Sequence, residues 1–356
     1  MGPVHDIQYY LLKKRAFSGF ISRLAKVQPL AAPVRRGEKN YAFELVTSAN
    51  EISLPYIPTI LPPKKYFFPQ REVLLEFDTR RGLHAGPVGV AGPMTIFGVH
   101  TCDLAGIQCL NMVFSVRPRD HNYLIRKRKI TIIGLECNDY CDEHANCALV
   151  NASLPSGGYD LFFTDLGDYF IVHVNTQAGD DIIDAVKQFQ PAKEANLQDL
   201  AALRERKRVV FRNEVALDQR FLPALFDISF DGPVWKDLDE RCLACGNCTQ
   251  VCPTCYCFDI RDELNLDMAT GVRYRVWDSC QTEPFAKVAG GENFRKSRLA
   301  RQRHRYYRKF SYPFAKFFRF FCTGCGRCSR ACMAGIKLKE TLTSLISQGG
   351  EGPWKR

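Results

Sequence analysis

Hydrophobic and polar positions change period several times along the chain, and the changes predict its elements. In residues 6–27, Ile7, Tyr10, Leu11, Phe17, Phe20 and Leu24 fall near a 3.6-residue period, which predicts an amphipathic packing helix. A short strand is expected at YAFELV (41–46). Four prolines between 55 and 63 then exclude a helix and force an extended or looped path. EVLLEFD (72–78) and MTIFGVH (94–100) read as strands on either side of a glycine-rich segment. CDLAGIQCLNMVF (102–114) returns to helical spacing, and KITIIGLE (129–136) reads as a buried strand. Strand, helix and strand in that order imply a βαβ unit and a partly parallel sheet. DLFFTDLGDYFIVHVN (160–175) predicts a hairpin turning at Gly167–Asp168, and 180–208 has helical spacing rich in Ala, Glu, Lys and Leu.

Length and composition add little that is unusual. The 356 residues suit about two domains, and 46% hydrophobic with 24% charged residues is an ordinary globular mixture. No apolar run approaches the length of a membrane span, and the N-terminus lacks the apolar stretch and cleavage site of a signal peptide. A myristoylation pattern is absent as well, because no Ser or Thr stands at position six. No G-x-G-x-x-G follows a strand and no P-loop is present, so nucleotide binding by this chain has little support. Ser–His–Asp, paired-carboxylate and metal-hydrolase patterns are also missing.

The sixteen cysteines change the picture. CLACGNCTQVCP places Cys242, Cys245, Cys248 and Cys252 at C-x2-C-x2-C-x3-C, with Pro253 next. CTGCGRCSRACM repeats the spacing at Cys322, Cys325, Cys328 and Cys332, with Met333 in the proline position. This is the ligand run of a two-cluster ferredoxin, in which the fourth cysteine of each run serves the other cluster. The expected ligand sets are Cys242, Cys245, Cys248 and Cys332 for one [4Fe–4S] cluster, and Cys322, Cys325, Cys328 and Cys252 for the other. Gly246 and Gly326 sit inside the tight loops, where positive φ is expected. Structural zinc ordinarily uses four ligands from two C-x2-C knuckles, and disulfides need an oxidising compartment. Cysteine-rich composition without a secretion signal points instead to a reducing, cytoplasmic location with metal-bound thiolates.

Further cysteines lie outside these runs. Cys102 and Cys137 each follow a strand of the βαβ unit and should emerge at the same sheet edge, where the loop CNDYCDEHANC adds Cys141 and Cys147. These four could hold a third [4Fe–4S] cluster; a zinc site assisted by His144 and a loop of free thiols are the alternatives. Cys109, inside the helix, reads as a small core residue. Cys255, Cys257 and Cys280 could be thiols packed around the clusters or ligands to a further centre. The expected architecture is an α/β domain with a mixed sheet over 1–215, a linker over 216–235, and a mostly α-helical, two-[4Fe–4S], ferredoxin-like domain over 236–356.

Net charge is +11, concentrated in the basic and aromatic segment 293–320 between the two runs. Basic plus aromatic is also how a nucleic-acid patch reads. Tied at both ends to cluster ligands, however, its guanidinium groups, among them Arg295, Arg303 and Arg305, are expected to solvate cluster charge and raise potentials. A solvated basic helix face is the plainer alternative, and nucleic acid is not the expected partner.

The strings TILPPKKYFFP, GVHTCDLAGI, YDLFFTDLGD, CGNCTQVCPTCYCFD, WDSCQ, FAKVAGGENFR and RHRYYRKF, with the second cysteine run, span nearly the whole chain. By them the chain resembles the β subunit of soluble cytoplasmic [NiFe] hydrogenases of the sulfhydrogenase type, and it is similar to the iron–sulfur subunit, the first, of anaerobic sulfite reductase. It departs from that pattern at His100 and Thr101, where a basic residue and a proline are expected, and in the spacing of Cys137 to Cys147. The resemblance implies an electron-transfer protein that works beside a flavoprotein subunit handling NAD(P)H, with FAD on that partner and not here. It also implies a separate catalytic subunit, such as the small and large subunits of a [NiFe] hydrogenase. The corresponding component of an anaerobic sulfite reductase, or the electron-input component of a heterodisulfide reductase-like complex, would fit the same resemblance. From the residues alone, a chain that is itself catalytic through Cys255, Cys257 and Cys280, or an iron–sulfur nucleic-acid protein using 295–309, remain the alternatives.

Overall fold

A computed structural model of the chain describes residues 8–80 and 92–349. In chain order its strands are β1 (Tyr9–Lys13), β2 (Leu30–Arg35), β3 (Tyr41–Val46), β4 (Arg71–Asp78), β5 (Met94–His100) and β6 (Ile130–Leu135). Then come β7 (Leu161–Asp165), β8 (Tyr169–Val174), β9 (Gln190–Pro191), β10 (Phe258–Leu264) and β11 (Thr270–Trp277). Eight of them form one sheet in the order β3-β2-β5-β6-β7-β8-β1-β9. Its centre is parallel, from β2 through β5 and β6 to β7, and its flanks are antiparallel. The mixed sheet follows from the sequence pattern: β5, β6 and β7 are almost continuously apolar and buried, as strands covered on both faces must be. Phe162 and Phe163 show the two faces directly. Phe163 stacks on Phe20 of the helix Phe17–Val27, while Phe162 lies against Gly134, beside Leu104 of the helix Thr101–Ser115.

The βαβ unit and the 160–175 hairpin form as expected, the latter turning where Leu166 N–H donates to the Tyr169 carbonyl at 3.0 Å. Three expectations are corrected. Of the expected first helix only Phe17–Val27 is α-helical, after a single 3-10 turn at Lys14–Ala16, because the aromatic YYLLK pairs with β8 as a strand, Tyr10 opposite Val172. Residues 6 and 7 lie outside the described residues. The helical stretch 180–208 is two helices, Gln177–Val186 and Glu194–Val210. Lys187 ends the first at φ 52°, and Pro191 sits in β9 between them. The strand at 72–78 forms but leaves the main sheet: β4 pairs with β11 in a three-stranded antiparallel sheet, β10-β11-β4. This small sheet ties the two halves together. The glycine-rich segment before β5 falls largely outside the described residues.

A second core gathers Trp235, Leu238, Tyr306, Phe310 and Leu342 from the helices Val234–Arg241, Arg298–Phe310 and Leu338–Gln348. Leu217, Leu222, Leu225 and Phe226, from the segment expected to link the halves, are buried in it. Between this core and the carboxyl edge of the main sheet lie the cysteines.

Candidate metal centre

The two runs use one backbone design. Ala244 and Gly246 in the first, and Gly324 and Gly326 in the second, take positive φ of 53°, 79°, 63° and 74°. That left-handed path curls each loop inward and points backbone N–H groups at sulfur. Ala244 N–H lies 3.3 Å from Cys242 Sγ, and Gly324 N–H 3.4 Å from Cys322 Sγ. Gly246 and Gly326 then open the short helices Asn247–Gln250 and Arg327–Arg330, which carry the third cysteine of each run.

The fold brings each expected set together. Cys242, Cys245, Cys248 and Cys332 line one cavity, whose wall Cys328 of the other set also reaches. Cys252 is a charge neighbour of both Cys322 and Cys325. Burial and then neighbouring thiolates push the Cys322 thiol above its ordinary range, while burial pushes Cys248 up to about 12. Such thiols stay protonated until a cationic core compensates them, which is the behaviour of metal ligands. Among the described residues, no three His, Cys, Asp or Glu side chains close tightly enough to hold a single metal ion. The sets are therefore more open than thiolates about 2.3 Å from one zinc would be. Soft donors, N–H···S bonds and the spacing all fit a cubane.

The four N-terminal cysteines converge as well. Cys102 opens the helix after β5, Cys137 follows β6, and the Cys137 and Cys141 thiols are in hydrogen-bonding contact. Cys102 and Cys147 are both charge neighbours of Cys137. Cys109 is fully buried in its helix, with Sγ 3.7 Å from the Phe320 carbonyl.

Of the basic segment, the face of the helix Arg298–Phe310 that meets the cysteines is 302, 305 and 309, a 3.6-residue stripe. Gln302 Nε2 donates to Cys242 Sγ at 2.8 Å, and Lys309 Nζ donates to Cys252 Sγ at 3.3 Å and Cys255 Sγ at 3.2 Å. Arg305 is buried; desolvation works against its charge, but the negative charge that Cys248 and Cys328 carry as ligand thiolates outweighs this and raises its pKa. Arg303 instead contacts the Phe230 carbonyl at 2.8 Å and Asp231 at 3.2 Å, and Arg295 offers its own carbonyl to Arg301 at 3.2 Å. Neither has a bond to a cysteine sulfur among the described contacts.

Comparison with known proteins agrees with this geometry. A family model described as a 4Fe-4S dicluster domain matches residues 241–336, which contain all eight cysteines of the two runs. Over 338 residues the chain is 36% identical to sulfhydrogenase 2 subunit beta of Pyrococcus furiosus, covering 94% of this chain and 98% of that protein. The chain belongs to the sulfhydrogenase β-subunit family. No solved structure matches it.

Within this sulfhydrogenase β-type chain, sequence reasoning missed the residues that lock the second run in place. Arg327 makes a two-pronged ion pair with Asp103 at 2.6 and 2.8 Å, and its Nε donates to the Thr59 carbonyl at 2.6 Å, all buried. Arg330 pairs with Asp142 of the Cys137–Cys147 loop. Asn146 N–H donates to the Gly324 carbonyl at 2.6 Å. One signal was available: Arg327 and Arg330 occupy the repeat positions held by Asn247 and Gln250 in the first run. No helix among the described residues is long and apolar enough to cross a membrane.

Proposed function

We propose that the chain is a cytoplasmic one-electron relay in a multi-subunit hydrogenase complex, passing electrons between an NAD(P)H-linked flavoprotein and a [NiFe] catalytic subunit. FAD would lie on the flavoprotein. Cys242, Cys245, Cys248 and Cys332 would hold one [4Fe–4S] cluster, and Cys322, Cys325, Cys328 and Cys252 the second. Cys102, Cys137, Cys141 and Cys147 would hold a third. The observation that carries this reading is the cavity in which Cys328 and Cys332, from the second run, meet Cys242, Cys245 and Cys248 of the first, so that the two runs interleave. Such clusters supply reversible one-electron storage over roughly −700 to +450 mV. The protein supplies the rest. Buried thiolates exclude water, while Gln302, Lys309 and the loop N–H groups donate to sulfur and so favour the more negative, reduced state. Cys248 and Cys328 are charge neighbours, as are Cys325 and Cys102, so the three sets form a contiguous series.

The crossed ligation gives the test. In anaerobically purified, dithionite-reduced protein, Cys332→Ala should abolish the EPR signal of the centre at the first run, and Cys252→Ala that of the second. Wild-type protein should carry at least about eight iron and eight sulfide. Zinc without sulfide would end the relay reading.

A further inference from the structure

Apart from Cys109, packed inside its helix, three cysteines belong to none of these sets, and the fold gathers them. Cys257 immediately precedes β10, and Cys280 lies three residues beyond β11. Phe258 pairs with Trp277 at the open end of that hairpin, and Asp278 N–H donates to the Cys257 carbonyl at 3.0 Å. The hairpin therefore holds the Cys257 and Cys280 thiols in hydrogen-bonding contact. Cys255 is a charge neighbour of Cys257, and all three line one cavity.

What surrounds them is unusual for packed thiols. Arg305, Arg308 and Lys309 line the same cavity, and Lys64 Nζ reaches the Cys255 carbonyl at 2.9 Å. Lys64, Arg305 and Lys309 are 2%, 7% and 7% exposed, and no carboxylate pairs with any of them among the described contacts. Arg305 Nε, buried, has no hydrogen-bond partner. Arg305 and Lys309 are partly met by Cys248, Cys328 and Cys252 of the neighbouring sets. Lys64 and Arg308, however, have Cys255 as their foremost thiol neighbour, and a neutral thiol would not offset a buried cation. A ligand that offers negative charge and acceptor atoms would.

We infer that Cys255, Cys257 and Cys280 hold an additional iron–sulfur cluster through three thiolates, with Arg305 and Lys309 donating to its sulfides. A single zinc offers the donors no acceptor atom, whereas bridging sulfides do. His304 lines the cavity and is its one imidazole, the neutral donor available to the iron that lacks a thiolate. Location supports the assignment. Cys280 is a charge neighbour of Cys248 in the first set, and Cys255 is in hydrogen-bonding contact with Cys252 in the second, so the site flanks both.

The test compares the full chain with a Cys257→Ser/Cys280→Ser variant, both purified anaerobically. The variant should carry about four fewer iron and four fewer sulfide per chain, with the EPR signals of both ferredoxin-type centres retained. Equal iron in both proteins would overturn the inference, as would loss of zinc in place of iron, or a Cys257–Cys280 disulfide in the wild-type chain by mass spectrometry. Should the double variant fail to fold, Cys255→Ser leaves the hairpin pair intact and should lose the same iron; unchanged iron there also overturns it. The inference rests on the relay reading only for its purpose. A chain without any sulfide defeats both, while a sulfide-bearing chain whose variants lose none defeats this inference alone.

Discussion

The two cysteine runs have nearly the same backbone and opposite surroundings. In the first, Leu243 is 63% exposed and Cys245 is exposed, and the left-handed position is occupied by Ala244. In the second, a Cβ on Gly324 would lie 2.2 Å from the Asn146 carbonyl oxygen, and one on Gly326 would lie 2.7 Å from the His144 carbonyl carbon. The Cys137–Cys147 loop thus sits directly on the second run, held by Arg330 on Asp142, while Arg327 clamps the run itself to Asp103 and Thr59. Ligand spacing fixes what each run can hold; the covering surface fixes where it stands in a chain of carriers. The covered run faces the N-terminal cysteines, and the open run, with Leu243 and Cys245 exposed, faces outward.

The largest expected effect comes from removing the clamp. Arg327→Ala leaves Asp103 buried without its partner, which should cost about 3–5 kcal/mol in urea unfolding of the anaerobic protein. Its repeat counterpart Asn247 makes only a 3.4 Å bond to the Ala331 carbonyl, so Asn247→Ala should cost about 1 kcal/mol or less. Equal losses at the two positions would contradict the asymmetry. Gly324→Ala comes next. Strain at positive φ contributes about 1–3 kcal/mol, and the contact with Asn146 backbone must also be relieved. The loop should lift, and the third cluster proposed for Cys102, Cys137, Cys141 and Cys147 should lose iron before the others. Ala244→Gly, at the matching position, should change stability by about 1 kcal/mol at most. Normal iron content in Gly324→Ala would mean that the loop is not seated on the second run.

Much of this was legible because repetition and periodicity are local. C-x2-C-x2-C-x3-C announces its chemistry without any knowledge of the fold, and the apolar runs of β5, β6 and β7 announce a covered sheet. The convergence of Cys102 with Cys137 was readable too, since adjacent parallel strands deliver their carboxyl ends to one edge. Long-range choices were not. Tyr9–Lys13 fits the helical spacing of the residues that follow it, and only its long-range pairing with β8 makes it a strand. Nothing near β4 says that its partner lies some two hundred residues away in β11. Arg303 and Arg305 look alike in a basic segment, yet the helix turns one to Phe230 and the other to the thiolates.

The finest contrast between the runs is electronic. Gln302 donates to Cys242 at 2.8 Å as a neutral amide, whereas Lys309 brings a full charge to Cys252. A donor to thiolate stabilises the reduced cluster more than the oxidised one, because reduction adds negative charge that sulfur shares. Gln302→Leu should therefore lower the potential of the first-run centre, by about 40 mV if the bond contributes about 1 kcal/mol to the difference between the two states. Lys309→Met should lower the second-run potential by more and leave the first nearly unchanged. EPR-monitored redox titration of the two variants separates these effects. If each substitution moved both centres equally, the pair would titrate as one unit, and the different surroundings of the two runs would not set their order in the relay.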